Sequence, residues 1–248
     1  MAINQVQFQK GLSMAEFMAR YGTEAQCHAA LVAARWPRGF VCPCCGDERH
    51  STFVREDRQY WQCHRCRHQT TVTAGTIFEA TKLPLMHWFI AMHLMTQAKN
   101  KVSALELKRH LGVRYKTAWL MKHKLLQVMA EREDRRVLDG RVEVDDAYLG
   151  GERPGRRGRG SENKVSFVVA VQTADDGRPM LARMNRIAFT KEAVTDWANK
   201  ALAGSARVIS DALNCFDGFR GNVADYQPVV VGSGRQAVTA HPEFSRVN

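Results

Sequence analysis

No stretch of 18 apolar residues occurs in the 248-residue chain, so no segment reads as a membrane-spanning helix. Met1 to Lys10 lacks the basic head and apolar core of a secretory signal. A cytoplasmic, nucleoid-associated protein is the expectation. Cysteine is too irregular for a disulfide framework: there are seven, an odd number, and five fall within residues 42–66. That clustering points to metal in a reducing compartment. Acid is the other shortage. Asp and Glu total 25 against 36 Lys and Arg, a net charge of +11 that calls for a polyanionic partner, nucleic acid first. The deficit is uneven. Residues 1–138 hold 21 basic and 11 acidic side chains, and residues 139–248 hold 15 and 14. The first half is therefore the binding half, and the second is free to use its acids for chemistry.

What is present begins with two short helices. Ser13-Met14-Ala15-Glu16 and Thr23-Glu24-Ala25-Gln26 both fit the capping box, in which a hydroxyl and a longer polar side chain satisfy each other's free N–H groups. The second helix carries Cys27, Ala30, Leu31 and Ala34 and stops before Pro37. Cys27 reads as a small buried thiol and His28 as a surface residue.

Cys42-Pro43-Cys44-Cys45 and Cys63-His64-Arg65-Cys66 are two C-x2-C knuckles 17 residues apart. Four thiolates at this spacing suit a closed tetrahedral Zn²⁺ site, with Cys42, Cys45, Cys63 and Cys66 as ligands. Cys44 competes with Cys45 for the register, but Gly46 favours Cys45. Residues 52–54 and 59–62 read as the short strands of a zinc ribbon. Arg49, Arg55, Arg58, Arg65 and Arg67 around it favour DNA over a purely structural role.

After a polar connector, Leu85 to Met95 is apolar nearly all round and predicts a buried helix, with Pro84 at its start. Residues 102–129 carry a helix-turn-helix pattern. Ser103 caps a helix whose inner face is Leu105, Leu107 and Leu111, and Gly112-Val113 makes the turn. A second helix runs from Tyr115 through Trp119, Leu120, Leu125 and Val128. Its start presents Arg114, Tyr115, Lys116 and Thr117, with Lys122 beyond, as the candidate DNA contacts.

The second half reads as three strands, a helix and a fourth strand. Val142 and Val144 alternate with Glu143 before Asp145 and Asp146. About sixty residues later, Val208-Ile209-Ser210 runs into Asp211. Two strands that each deliver an aspartate suit a divalent-metal phosphoryl-transfer site. Between them, Arg156, Arg157 and Arg159 lie in a Gly-rich loop that could clamp a DNA backbone. Strands are expected over 164–173, 180–188 and 226–231, and a helix over 190–202.

With these pieces in order, the chain resembles the ISXO-like transposases of bacterial insertion sequences over nearly its full length. The pieces are Cys-Pro-x-Cys at 42–45, Cys-x-x-Cys at 63–66, Thr-Ala-Gly-Thr-Ile-Phe at 73–78, Leu-Gly-Val-x-Tyr-Lys-Thr-Ala-Trp at 111–119, Val-Asp-Asp-x-Tyr-Leu-Gly-Gly at 144–151 and Ile-Ser-Asp at 209–211. The resemblance implies a multidomain α+β protein: N-terminal helices at 1–38, a zinc ribbon at 39–80, a helix-turn-helix region at 81–138 and a ribonuclease H-like DDE domain at 139–248. It implies binding to double-stranded DNA at terminal inverted repeats, as a homo-oligomer. It also implies strand cleavage and strand transfer with two Mg²⁺ ions. Asp145 falls on the first catalytic acid and Asp211 on the second. Asp146 falls on a neighbouring position that the family usually fills with glutamate. The third ligand sits on a later helix in that family, and Glu243 lies ahead of its place, so an incomplete domain with impaired cutting is expected. The alternative is a zinc-ribbon transcriptional regulator without catalysis.

Overall fold

A computed structural model describes residues 11–97, 102–149 and 164–230. The chain divides into two compact units, the first reaching Ala130 and the second starting at Glu131.

In the first unit, α1 (Met14–Tyr21) and α2 (Glu24–Arg35) start on complete capping boxes at Ser13 and Thr23, as the sequence predicts. Strands β1 (His50–Arg55), β2 (Arg58–Cys63) and β3 (Gln69–Thr70) form a three-stranded antiparallel sheet. The third strand is an addition to the sequence reading, which placed residues from Thr70 onward in a connector. A small core of Phe40, Cys42, Trp61, Cys63 and Val72 lies beneath this sheet. Helix α2 ties the sheet to the rest of the unit. Leu31 packs against this core and against the larger helical one, and the Arg35 guanidinium donates to the carbonyls of Thr71 and Val72.

Helices α3 (Leu85–Gln97), α4 (Ala104–Leu111) and α5 (Tyr115–Asp134) follow. Pro84 has no N–H, and the free N–H groups of Leu85 and Met86 are capped from a distance by the Glu24 carboxylate, at 2.8 and 3.1 Å. The expected inner face of α4 is corrected here. The inner face of α4 is Ala104, Leu107 and Leu111, while Leu105 is 44% exposed. On α5, Ala118, Met121 and Leu125 are buried, while Trp119, Leu120 and Val128 are exposed. Both buried sets follow i, i+3, i+7 spacing, which marks one helical face; Leu105, Trp119, Leu120 and Val128 lie off it. Helix α3 also departs from expectation, with only Leu85, Trp88 and Ala91 fully buried.

The second unit is built on a five-stranded sheet of β4 (Arg141–Leu149), β5 (Val165–Thr173), β6 (Pro179–Asn185), β7 (Arg207–Asp211) and β8 (Asp225–Val229). Its order is β6-β5-β4-β7-β8. The first three strands are antiparallel to one another, and β7 and β8 add in parallel with β4. Helix α6 (Lys191–Ala201) makes the crossover from β6 to β7. Strand β6 ends at Asn185 and β8 at Val229, short of the expected bounds. One face of the sheet packs Val142, Val144, Val168, Ala170 and Val208 against Val194, Trp197, Ala198 and Ala201 of α6. A short 3-10 helix, Asn214–Phe219, adds Phe216 and Phe219 to this core.

Candidate metal centres and nucleic-acid interface

The first candidate centre is the ribbon. Among the described residues, Cys42, Cys45, Cys63 and Cys66 bring one sulfur each within 4.8 Å of all the others. The Cys42–Cys66 and Cys45–Cys63 sulfurs are 3.6 Å apart. Zinc bonded tetrahedrally at about 2.3 Å needs sulfurs about 3.8 Å apart, so the donor set fits the ion. Desolvation pushes the Cys42 thiol up, but the N–H groups of Cys44 and Cys45 and the neighbouring thiols outweigh it and bring it down to about 7. The N–H of His68 pulls the Cys66 thiol down, yet desolvation and the other three thiols push it up to about 12. Four sulfurs this close cannot all ionise alone, and a dication removes that conflict. Cys44 is exposed and outside the cluster, as its position between the ligands implies.

The second centre is carboxylate. Strand alternation puts Val142 and Val144 on the α6 face of the sheet, so Glu143 and Asp145 take the opposite face. The parallel register pairs Val144 with Ser210. One step further, Asp145 on β4 stands beside Asp211 on β7. Asp145, Asp146 and Asp211 each bring a carboxylate oxygen within 4.8 Å of the other two. All three are half-buried, held on rigid strands and still reachable from solvent. Asp145 also accepts from the Asp146 N–H at 2.8 Å, and Asp211 from the Leu213 N–H at 3.3 Å.

Sequence reasoning left Asp146 as a neighbour with at most an indirect role. The cluster instead gathers both side chains at the end of the strand pairing, where the β4–β7 ladder stops at Ser210.

The candidate DNA contacts lie at the start of α5. Helix α4 ends on Gly112, whose φ of 65° is a left-handed cap that glycine adopts without strain. Val113 and Arg114 then lead into α5. Arg114, Tyr115 and Lys116 are exposed, and Thr117 and Lys122 are half-exposed. In the ribbon, cross-strand register places Phe53 opposite Tyr60 and Arg55 opposite Arg58, on the face away from Trp61 and Cys63. The Phe53 and Tyr60 rings stack at 5.3 Å, and the Arg55 guanidinium lies 5.0 Å from the Tyr60 ring centre. Arg156, Arg157, Arg159 and Glu243 lie outside the described residues.

Comparison with known proteins matches two segments of the chain. Residues 22–69 match the transposase zinc-ribbon domain family, and residues 137–248 match the ISXO2-like transposase domain family. An uncharacterized protein in transposable element ISH50 of Halobacterium salinarum is 29% identical over 132 residues, which cover 52% of this chain and 42% of that protein. The matched stretch is thus less than half of that relative. No described helix is long and apolar enough to cross a membrane. The four-cysteine ribbon and the strands bearing the aspartates fall inside the two matched segments, so the chain is similar to a transposase zinc ribbon in its first part and to the ISXO2-like transposase domain in its second.

Proposed function

We propose that the chain acts as an insertion-sequence transposase. In this reading it binds double-stranded DNA at terminal inverted repeats through its first unit, as a homo-oligomer. It cleaves and joins DNA strands at Asp145 and Asp211 with Mg²⁺. The observation that carries the reading is the meeting of these two carboxylates, with Asp146, on adjacent parallel strands of a domain of this family.

The strand order supports a ribonuclease H-like fold: three antiparallel strands, then a helix and two parallel strands, with both acids on the central pair. The donor set also suits the ion. Mg²⁺ prefers hard oxygen ligands and keeps several waters, and half-buried carboxylates leave room for both. A bound ion supplies Lewis acidity and lowers the pKa of water or of a 3′-hydroxyl. The protein's own part is placement. Asp145 is paired with Val169 of β5 and Asp211 with Val229 of β8, so each presents its negative charge from a fixed strand. Asp146 supplies a third oxygen to the same cluster.

For DNA binding, α4 and α5 act as a helix-turn-helix. The N-terminus of α5 enters the major groove, with Arg114 and Lys116 leading and Tyr115, Thr117 and Lys122 behind. Arginine there reads guanine, while the lysines meet phosphate.

The test is strand cleavage and joining by the zinc-loaded chain on DNA bearing the repeats of its own element. Whatever Mg²⁺-dependent cutting the wild type shows, however slow, is expected to vanish in Asp145→Asn and Asp211→Asn, which still bind the DNA. A wild-type chain that binds such DNA and never cuts it, with the same regulatory effect in both variants, would establish a regulator instead.

A further inference from the structure

One buried carboxylate has no part in the reading above. Glu143 lies on β4 two residues before Asp145 and is only 1% exposed. Alternation puts it on the same sheet face as Asp145, and the register sets Ile209, two before Asp211, beside it on β7. Glu143 therefore sits one pleat below the Asp145–Asp211 pair, about 6.7 Å along the strand. Its oxygen is held by the Arg141 guanidinium, which also donates to the Thr173 hydroxyl at 3.0 Å. Arg207, paired with Arg141 across β4 and β7, is exposed at the same end of the sheet.

A buried carboxylate is costly and needs compensation. Arg141 supplies part of it from the side away from Asp145. A cation held between Asp145 and Asp211 would supply more from the other. The field is large at this range. Even at the dielectric constant of water, a unit charge about 7 Å from a dication changes its affinity about seven-fold.

We propose that Glu143 is a positioning residue whose charge sets the divalent-ion affinity of the Asp145–Asp211 site, with Arg141 tempering it. The proposal rests on the metal-dependent reading of that site. It makes Arg141 and Glu143 partners in folding and opponents in metal binding. Removing either member breaks the same ion pair and lowers stability. Removing Glu143 weakens the hold on the ion, whereas removing Arg141 leaves the Glu143 charge less neutralised and tightens it.

The experiment is a Mn²⁺ titration of the zinc-loaded full chain, following free Mn²⁺ by electron paramagnetic resonance, alongside thermal unfolding. Asp145→Asn identifies the site: if wild-type binding does not depend on Asp145, the reading of the site fails and the inference with it. Given that dependence, Glu143→Gln is expected to weaken Mn²⁺ about seven-fold. Arg141→Gln is expected to tighten it about three-fold, and both variants to melt earlier than wild type. Equal weakening in both variants, or no change in either, overturns the inference while leaving the site's identity intact. If Glu143→Gln fails to fold, Arg141→Gln decides alone: tightening upholds the inference, and anything else overturns it.

Discussion

Four sulfurs in the first unit and three carboxylates in the second each gather within 4.8 Å, but they are set in different structural surroundings. The cysteines lie on knuckles at the ends of short strands, over a core of few residues, two of which are the ligands Cys42 and Cys63 themselves. The aspartates stand on a five-stranded sheet with a separate core of Val, Ala, Trp and Phe beneath it. Small cores lean on a metal for stability, and large ones can spare polar groups for chemistry. Zinc should therefore hold the ribbon together. An ion at the aspartates should leave the fold nearly unchanged.

The largest effect should come from removing zinc. Chelation, or Cys63→Ser, withdraws an ion whose binding contributes on the order of 10 kcal/mol to such domains. The ribbon signals in a heteronuclear NMR spectrum should collapse while those of β4 to β8 persist. Collapse of both sets together would break the comparison.

Next come the acids. Asp145→Asn and Asp211→Asn should each lower strand cleavage by about a hundred-fold or more, with the unfolding midpoint unchanged or raised. Close carboxylates repel when no cation is present, so neutralising one relieves the apoprotein. Asp146→Asn should fall between these variants and wild type in Mn²⁺ affinity, which measures how far the third oxygen takes part.

Smaller again, Lys116→Ala should weaken DNA binding about equally on all sequences and reduce the salt slope by about 1, as loss of a phosphate contact does. Arg114→Ala should instead relax preference at one base pair. The smallest effect belongs to the α4 cap. Ser103→Ala should cost the first unit about 1 kcal/mol by thermal melting. The N–H and hydroxyl of Ser103 hold the Glu106 carboxyl below its usual range. Its contribution is therefore present above the ordinary glutamate pKa and is lost as pH falls through the lowered one. The second unit should show no response to Ser103→Ala.

How much of this could be read in the sequence follows the same division. The ribbon cysteines were legible because thiolate spacing within a chain dictates the site, and the structure gathers the four that the spacing selects. Asp145 and Asp211 were legible as strand-end acids, but their meeting depends on a parallel register across about sixty residues, which no local pattern carries. Asp146 reads in the sequence only as a neighbour of the first acid, and its approach to Asp211 depends on the same long-range register. Glu143 was passed over because a charged residue between two valines reads as the solvent side of a strand; here that side is buried. The inner face of α4 departs from the sequence at one position: residue type favours Leu105, whereas burial follows the smaller Ala104 by helical spacing.

The account turns on a divalent ion held between Asp145 and Asp211, and iron can report its position directly. Fe²⁺ loaded into the zinc-replete chain in place of Mg²⁺, with ascorbate and peroxide, generates radicals that cut the polypeptide beside the bound ion. The account predicts two cuts, near residues 145–146 and near residue 211, both suppressed by excess Mg²⁺ and absent in Asp145→Asn. Cutting elsewhere, or at these positions regardless of Mg²⁺ and of Asp145, would contradict it.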